Sequence, residues 1–271
     1  MYQPVLQPEN RIFRLLGYLL VFVRVGLTPV YAGGTLRRNR GQIVKPITKY
    51  SMPAVFLWLV TAISLSAQSS PQPAGFGICK PVSERATEVG CWILVDQPVG
   101  RVDQAQVFWH LDVYPTRPEA EKAKSPHGTV VESLGRVWLL TIEKAGWRPA
   151  LKGERIAEIG PLPVTAGESY SAVFMEAIFP PGMSSAIHNH SGPEAWYTQA
   201  GETCLETPTG KFVGRPGGPP VIVPAGPPML LTATGTEQRR AITLILHESS
   251  KPPTTMIHDW TPKGLCHGSS T

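Results

Sequence analysis

The chain has 271 residues, 17% of them charged and 42% hydrophobic, with 28 prolines, 26 glycines and a formal net charge of +5. Pro and Gly at this abundance, yet below the roughly 25–30% that marks disorder, favour short strands and tight turns over a helical bundle. The positive charge does not point to nucleic acid: residues 1–51 hold eight Lys/Arg and a single acid, Glu9, so the remainder is slightly acidic and has no basic stripe.

Lys45 and Lys49 precede an apolar stretch, Ala54 to Leu65, that ends in the small residues Ser66 and Ala67. A positive flank, an apolar core and small residues at the cut are the layout of a secretory signal peptide, and the core falls short of the roughly 20 residues a membrane span needs. Residues 1–67 therefore read as a leader with a signal peptide, and a true start at Met52 accounts for residues 1–51. The expected product is exported, periplasmic or extracellular, with no stable membrane anchor after cleavage. All four cysteines, Cys79, Cys91, Cys204 and Cys266, come after the leader, and an even number in an exported chain admits disulfides. Cys79 and Cys91 are near enough to close a small loop, whereas Cys204 lies in a predicted strand and reads as a buried free thiol.

Residues 68–78, rich in Ser, Pro, Gln and Gly, read as a linker. Residues 79–150 read as a small α+β unit. Its strands are Cys91–Val95, Val107–Val113, Thr129–Glu132 and Arg136–Glu143, with a helix opened by the Thr116/Glu119 capping box and running to about Ser125. Its Trp and Val residues are available to pack against the C-terminal half of the chain. From Tyr170 onward, short strands alternate with turns such as Pro180-Pro181-Gly182 and Pro224-Ala225-Gly226. The predicted strands are Ser171–Phe179, Ala186–His190, Ala195–Gln199, Glu202–Glu206, Lys211–Val213, Val221–Val223, Met229–Ala233 and Ala241–Glu248, a succession that suits a jelly-roll β-barrel over residues 160–250. Residues 251–271 read as a C-terminal tail.

The chemistry gathers at His188, His190 and Glu194. Side chains two apart on a strand share a face, so both imidazoles project together with Asn189 opposite, and the Ser191-Gly192-Pro193 bend can return the Glu194 carboxylate towards them. Two imidazoles and a carboxylate suit Fe(II), Mn or Zn. The bland alternative is a pair of histidines held by ordinary hydrogen bonds.

Gly182, five residues, His188-x-His190, three residues, Glu194, six residues and Gly201 fit G-x5-H-x-H-x3-E-x6-G, and Gly218, five residues, Pro224-x-Gly226 fit G-x5-P-x-G. These are the first cupin motif and the opening of the second, so the region resembles the cupin superfamily over about a third of the chain. The resemblance implies a mainly β protein with a cupin-type jelly-roll barrel, here preceded by the small α+β unit. It also implies a divalent transition metal held by His188, His190 and Glu194, and dioxygenase, isomerase or lyase chemistry. Where the complete second motif carries a histidine ligand and an asparagine, this chain has Met229 and Ala233. A thioether is a soft, uncharged donor, so Met229 is expected as an apolar wall residue of the pocket. Two consequences stand open: a three-ligand metal with an extra open position, or a pocket used only for binding.

Trp196 and Thr198 share strand parity with Glu194, and Trp196 is expected on the pocket wall, whereas Tyr197 should face the other way. His247 reads as an exposed strand-end histidine, Arg239-Arg240 as a solvated turn, His110 and His127 have no partner spacing, and His258 and His267 sit in a Pro/Gly-rich tail. The leading expectation is a metal-dependent cupin enzyme acting on a small organic molecule, with no catalytic residue assigned. The alternative is a non-catalytic module that binds a small ligand or a partner chain around a structural metal or none. A third role is homo-oligomer formation through the small unit.

Overall fold

The computed structural model describes residues 79–267. Residues 1–67, expected as a leader with a signal peptide, the expected 68–78 linker and residues 268–271 lie outside them. The described chain is mainly β. In chain order the elements are β1 (Lys80–Pro81), β2 (Gly90–Arg101), β3 (Gln106–Tyr114), α1 (Arg117–Ala123), β4 (Gly128–Ser133), β5 (Arg136–Glu143), β6 (Glu154–Pro163), β7 (Ser169–Phe179), β8 (His188–His190), β9 (Glu194–Ala200), β10 (Glu202–Thr207), β11 (Gly210–Gly214), β12 (Val221–Val223), β13 (Leu230–Thr234), β14 (Arg239–Glu248) and β15 (Thr254–Met256). The helix begins where the capping box places it: the Thr116 side chain accepts from the Glu119 backbone N–H, and Pro118 occupies the first turn, where its missing N–H costs nothing. Leu134 and Gly135, both at positive φ, make the tight turn between β4 and β5.

Six strands in the order β1-β2-β7-β14-β9-β12 form the principal sheet, and its two faces are buried against different partners. On β7, Tyr170, Ala172 and Phe174 join one apolar cluster with Trp109, Leu111, Trp138 and Leu140 of the four-stranded sheet β4-β5-β3-β6. Val173, Met175, Ala177 and Phe179 join a second cluster with Leu205, Leu231 and Ala233 of the three-stranded sheet β11-β10-β13. Strand alternation alone produces this division. Aromatic rings stitch the outer pair of layers: Trp109 lies 6.0 Å from Phe174, and Trp138 meets Tyr197 edge-on at 5.7 Å. The opposite wall of the barrel is completed by the ribbon β8-β15, and isolated bridges at Ser184↔Thr232 and His188↔Met229 tie the chain entering β8 to β13 and the residue before it.

The pairing departs from the sequence reading in three places. First, β2 pairs antiparallel with β7, so a strand grouped with the small unit belongs to the barrel's principal sheet. Second, β6 takes its place beside β3, which extends the four-stranded sheet to residue 163. Third, the segment after residue 250 is no appendage: β15 pairs with β8, and Cys266 is bonded to Cys204. Cys204 is therefore not a free thiol, because a cysteine 62 residues further on folds back to it. The second disulfide joins Cys79 to Cys91.

Candidate metal centre in the barrel

The two histidines of β8 are positioned by hydrogen bonds from the ring nitrogens that face away from the cavity. His188 Nδ1 lies 2.7 Å from the Ala186 carbonyl, and His190 Nδ1 lies 2.8 Å from the Pro253 carbonyl and 3.2 Å from Thr254 Oγ1. A carbonyl only accepts, so each Nδ1 carries the proton and each Nε2 keeps its lone pair. Asn189, on the other face of the strand, donates to the Gly226 carbonyl, and the Gly226 N–H donates to the His190 carbonyl. The Pro224-x-Gly226 turn thus braces the strand that carries the histidines. Glu194 opens β9 opposite Val223 and Ile245. The bend before it closes tightly, since a Cβ on Gly192 would lie 1.8 Å from the Leu246 carbonyl oxygen.

The three potential ligand atoms lie within 4.8 Å of one another, and His190 Nε2 is 3.5 Å from Glu194 Oε2. Donors about 2.0–2.2 Å from a shared ion are roughly 3–3.5 Å apart, so closure by about an ångström completes such a site. The buried His190 Nε2 and Glu194 Oε2 have no hydrogen-bond partner. Orphaned polar atoms in an apolar interior are costly, and a cation satisfies both at once. Burial, with His190 beside it, lowers the His188 pKa and favours the neutral imidazole. Burial pushes Glu194 upward, but His190, His188 and the Trp196 indole outweigh it and leave the carboxyl below its ordinary value. Imidazole nitrogens beside an ionised carboxylate are the donor types a divalent transition metal takes.

These groups open onto a cavity of about 180 Å³ with largely apolar walls, among them Ile93, Val173, Met175, Phe179, Leu231 and Ile245. Trp196 and Met229, expected on the pocket wall, are not among the residues that line it. Both are buried in the apolar cluster that also holds Val221 and Val223. Trp196 sits opposite Val221 at the β12 edge of the sheet, and Met229 meets His188 through two backbone hydrogen bonds.

The largest departure at the site is Arg239. Read as part of a solvated turn, it is instead the first residue of β14, fully buried and on the cavity wall. Arg240, on the opposite face, pairs with Glu88 near the surface. Parity was the available signal: Ala241, Thr243 and Ile245 alternate inward, and Arg239 continues the series. His247 is buried, with Nδ1 donating to the Glu248 and Lys251 carbonyls. His110 is also buried and lies 2.8 Å from Arg155, in a network with Asp112 and Glu158 that braces the four-stranded sheet.

No protein-family model and no curated protein matches the sequence. Solved structures similar to this chain include a cupin superfamily protein from Desulfitobacterium hafniense, at 15% identity and a TM-score of 0.26 over 32% of this chain and 74% of that one. A DMSP lyase from Ruegeria pomeroyi matches at 20% identity and 0.28, over 31% of this chain and 42% of the lyase. An L-ribose isomerase from Geodermatophilus obscurus matches at 11% and 0.28, over 34% of this chain and 59% of the isomerase. Each of these likenesses is confined to about a third of this chain.

Proposed function

We propose that the barrel holds a divalent transition metal through His188, His190 and Glu194 and acts on a small organic molecule in the cavity, with lyase, isomerase or oxygenase chemistry. The observation that carries this reading is the convergence of two Nε2 atoms and a carboxylate, two of the three donors being buried without a hydrogen-bond partner. A bound metal supplies Lewis acidity and open coordination positions for water, oxygen or substrate. The chain's own residues do the rest. Pro253 and Ala186 hold the imidazoles in one tautomer, the Gly192 bend fixes the carboxylate, and the apolar walls keep bulk water from a guest of about six water-sized groups.

An exported location accompanies this reading. Two disulfides suit an oxidising compartment, and no helix among the described residues is long and apolar enough to cross a membrane. Titration of the chelator-stripped protein with Mn(II), Fe(II) and Zn(II) tests the site. One equivalent is expected to bind, with affinity falling at least ~100-fold in His190→Ala and Glu194→Gln, since loss of an outer-sphere partner alone costs roughly 10–100-fold. Equal retention by wild type and both variants refutes the metal and leaves a binding module.

A further inference from the structure

Arg239 is in an unusual position for a guanidinium, since it is shut off from bulk solvent and has no ion-pair partner among the described residues. The residue is 0% accessible, and among the described residues no carboxylate lies within ion-pairing distance of it. Nε donates to Thr203 Oγ1, and the guanidinium carbon lies 5.5 Å from the centre of the Phe179 ring. Nη1 and Nη2 have no hydrogen-bond partner. A buried charge left in this condition is strongly destabilising, and stacking on one phenyl ring offsets only part of the cost. Burial draws the Arg239 pKa down to about 10, so the group is still a full cation at neutral pH.

Three features show what would complete it. The unpartnered atoms form one edge of the planar fork, the two-donor edge that matches a carboxylate bidentately. The residue lines the same cavity as His188, His190 and Glu194. Glu194 is the only carboxylate among the residues that line that cavity, and a metal at the three-residue site would draw on it. Arg239 stands six residues before Ile245, which pairs with Glu194, so its Cα lies up to ~20 Å further along the barrel.

We propose that Arg239 is a substrate-binding residue and that the cavity takes a small carboxylic acid, its carboxylate forked on Nη1 and Nη2 and its apolar body extending towards the metal ligands. That the acid is a substrate rests on the metal reading; that it binds at Arg239 does not. Isothermal titration of the chelator-stripped full chain with butanoate, succinate and benzoate, each against its primary amide, tests the proposal away from any metal. At least one acid is expected to bind about tenfold to a hundredfold tighter than its amide. Arg239→Met should abolish that preference, and Arg239→Lys, which keeps the charge but loses the fork, should retain part of it. A purely structural arginine would leave the acid-to-amide ratio unchanged in any variant that folds. If no acid outbinds its amide in the wild type, the proposal is overturned whether or not the variants fold. Metal uptake without acid preference overturns this assignment alone, whereas acid preference without metal uptake overturns the metal reading and leaves the carboxylate site standing.

Discussion

Gly192 bears on the site more than any residue that is not itself a donor. An added methyl group there meets the Leu246 carbonyl oxygen at 1.8 Å, and backbone cannot yield as a flexible side chain does. Gly192→Ala is expected to lose about 3 kcal/mol of stability in denaturant unfolding and to weaken metal uptake by displacing Glu194. Gly201, at φ +66 and with a would-be Cβ 2.7 Å from the Arg239 backbone nitrogen, makes the corresponding close approach at the other end of the cavity. At this scale, legibility tracked locality. His188, His190 and Glu194 could be read because their convergence depends on strand alternation and one short bend. Arg239 could not be read so simply, because two adjacent arginines at a strand start resemble a solvated turn until parity is carried back from Ile245. Trp196 shares strand and parity with Glu194 but does not line the cavity, so parity alone did not decide it.

Strands β7 and β14 run side by side through the centre of the principal sheet and serve both of its faces. Phe174 is fully buried between them and the tryptophans of the four-stranded sheet. Phe174→Ala should cost about 3–5 kcal/mol in thermal or denaturant unfolding, from lost burial and the cavity left behind, while Nε2 and carboxylate donors on the far face keep their metal. Elements with flanking turns, such as β5, β7 and β9, were legible to within a residue or two. Two were not. Strand β6 carries Glu154, Arg155, Glu158 and three prolines or glycines in ten residues, so its hydrophobic alternation is diluted. Strand β15 is three residues long and comes directly after two prolines, too short a run for any periodicity. The transfer of β2 from the small unit to the barrel was invisible for a different reason, since partner choice between strands is a long-range property that local pattern does not encode.

Over the whole molecule, the two disulfides close chain segments of very different length. Cys204–Cys266 spans a separation of 62 residues and Cys79–Cys91 one of 12. Loop-closure entropy assigns them about 4 and about 3 kcal/mol respectively. Replacing Cys204 and Cys266 by serine is therefore expected to lower unfolding free energy by the larger amount. It should also weaken metal uptake by about tenfold, because the segment that Cys266 fastens includes Pro253 and Thr254, the partners of His190 Nδ1. Calorimetry of the oxidised double variant against wild type checks both numbers. The fastening of the final segment was not legible, because its only covalent tie reaches across a third of the described chain.

The division of labour along β7 and β14 has a consequence for how this protein can change. Even-numbered positions are locked into an aromatic plate shared with a second sheet, while their odd-numbered neighbours merely upholster the chamber. A lineage can therefore retailor the chamber at Met175, Thr243 or Ile245 to admit a longer or bulkier guest without loosening the plate that keeps the scaffold rigid. New chemistry on this frame is a matter of redecorating one side of two ribbons.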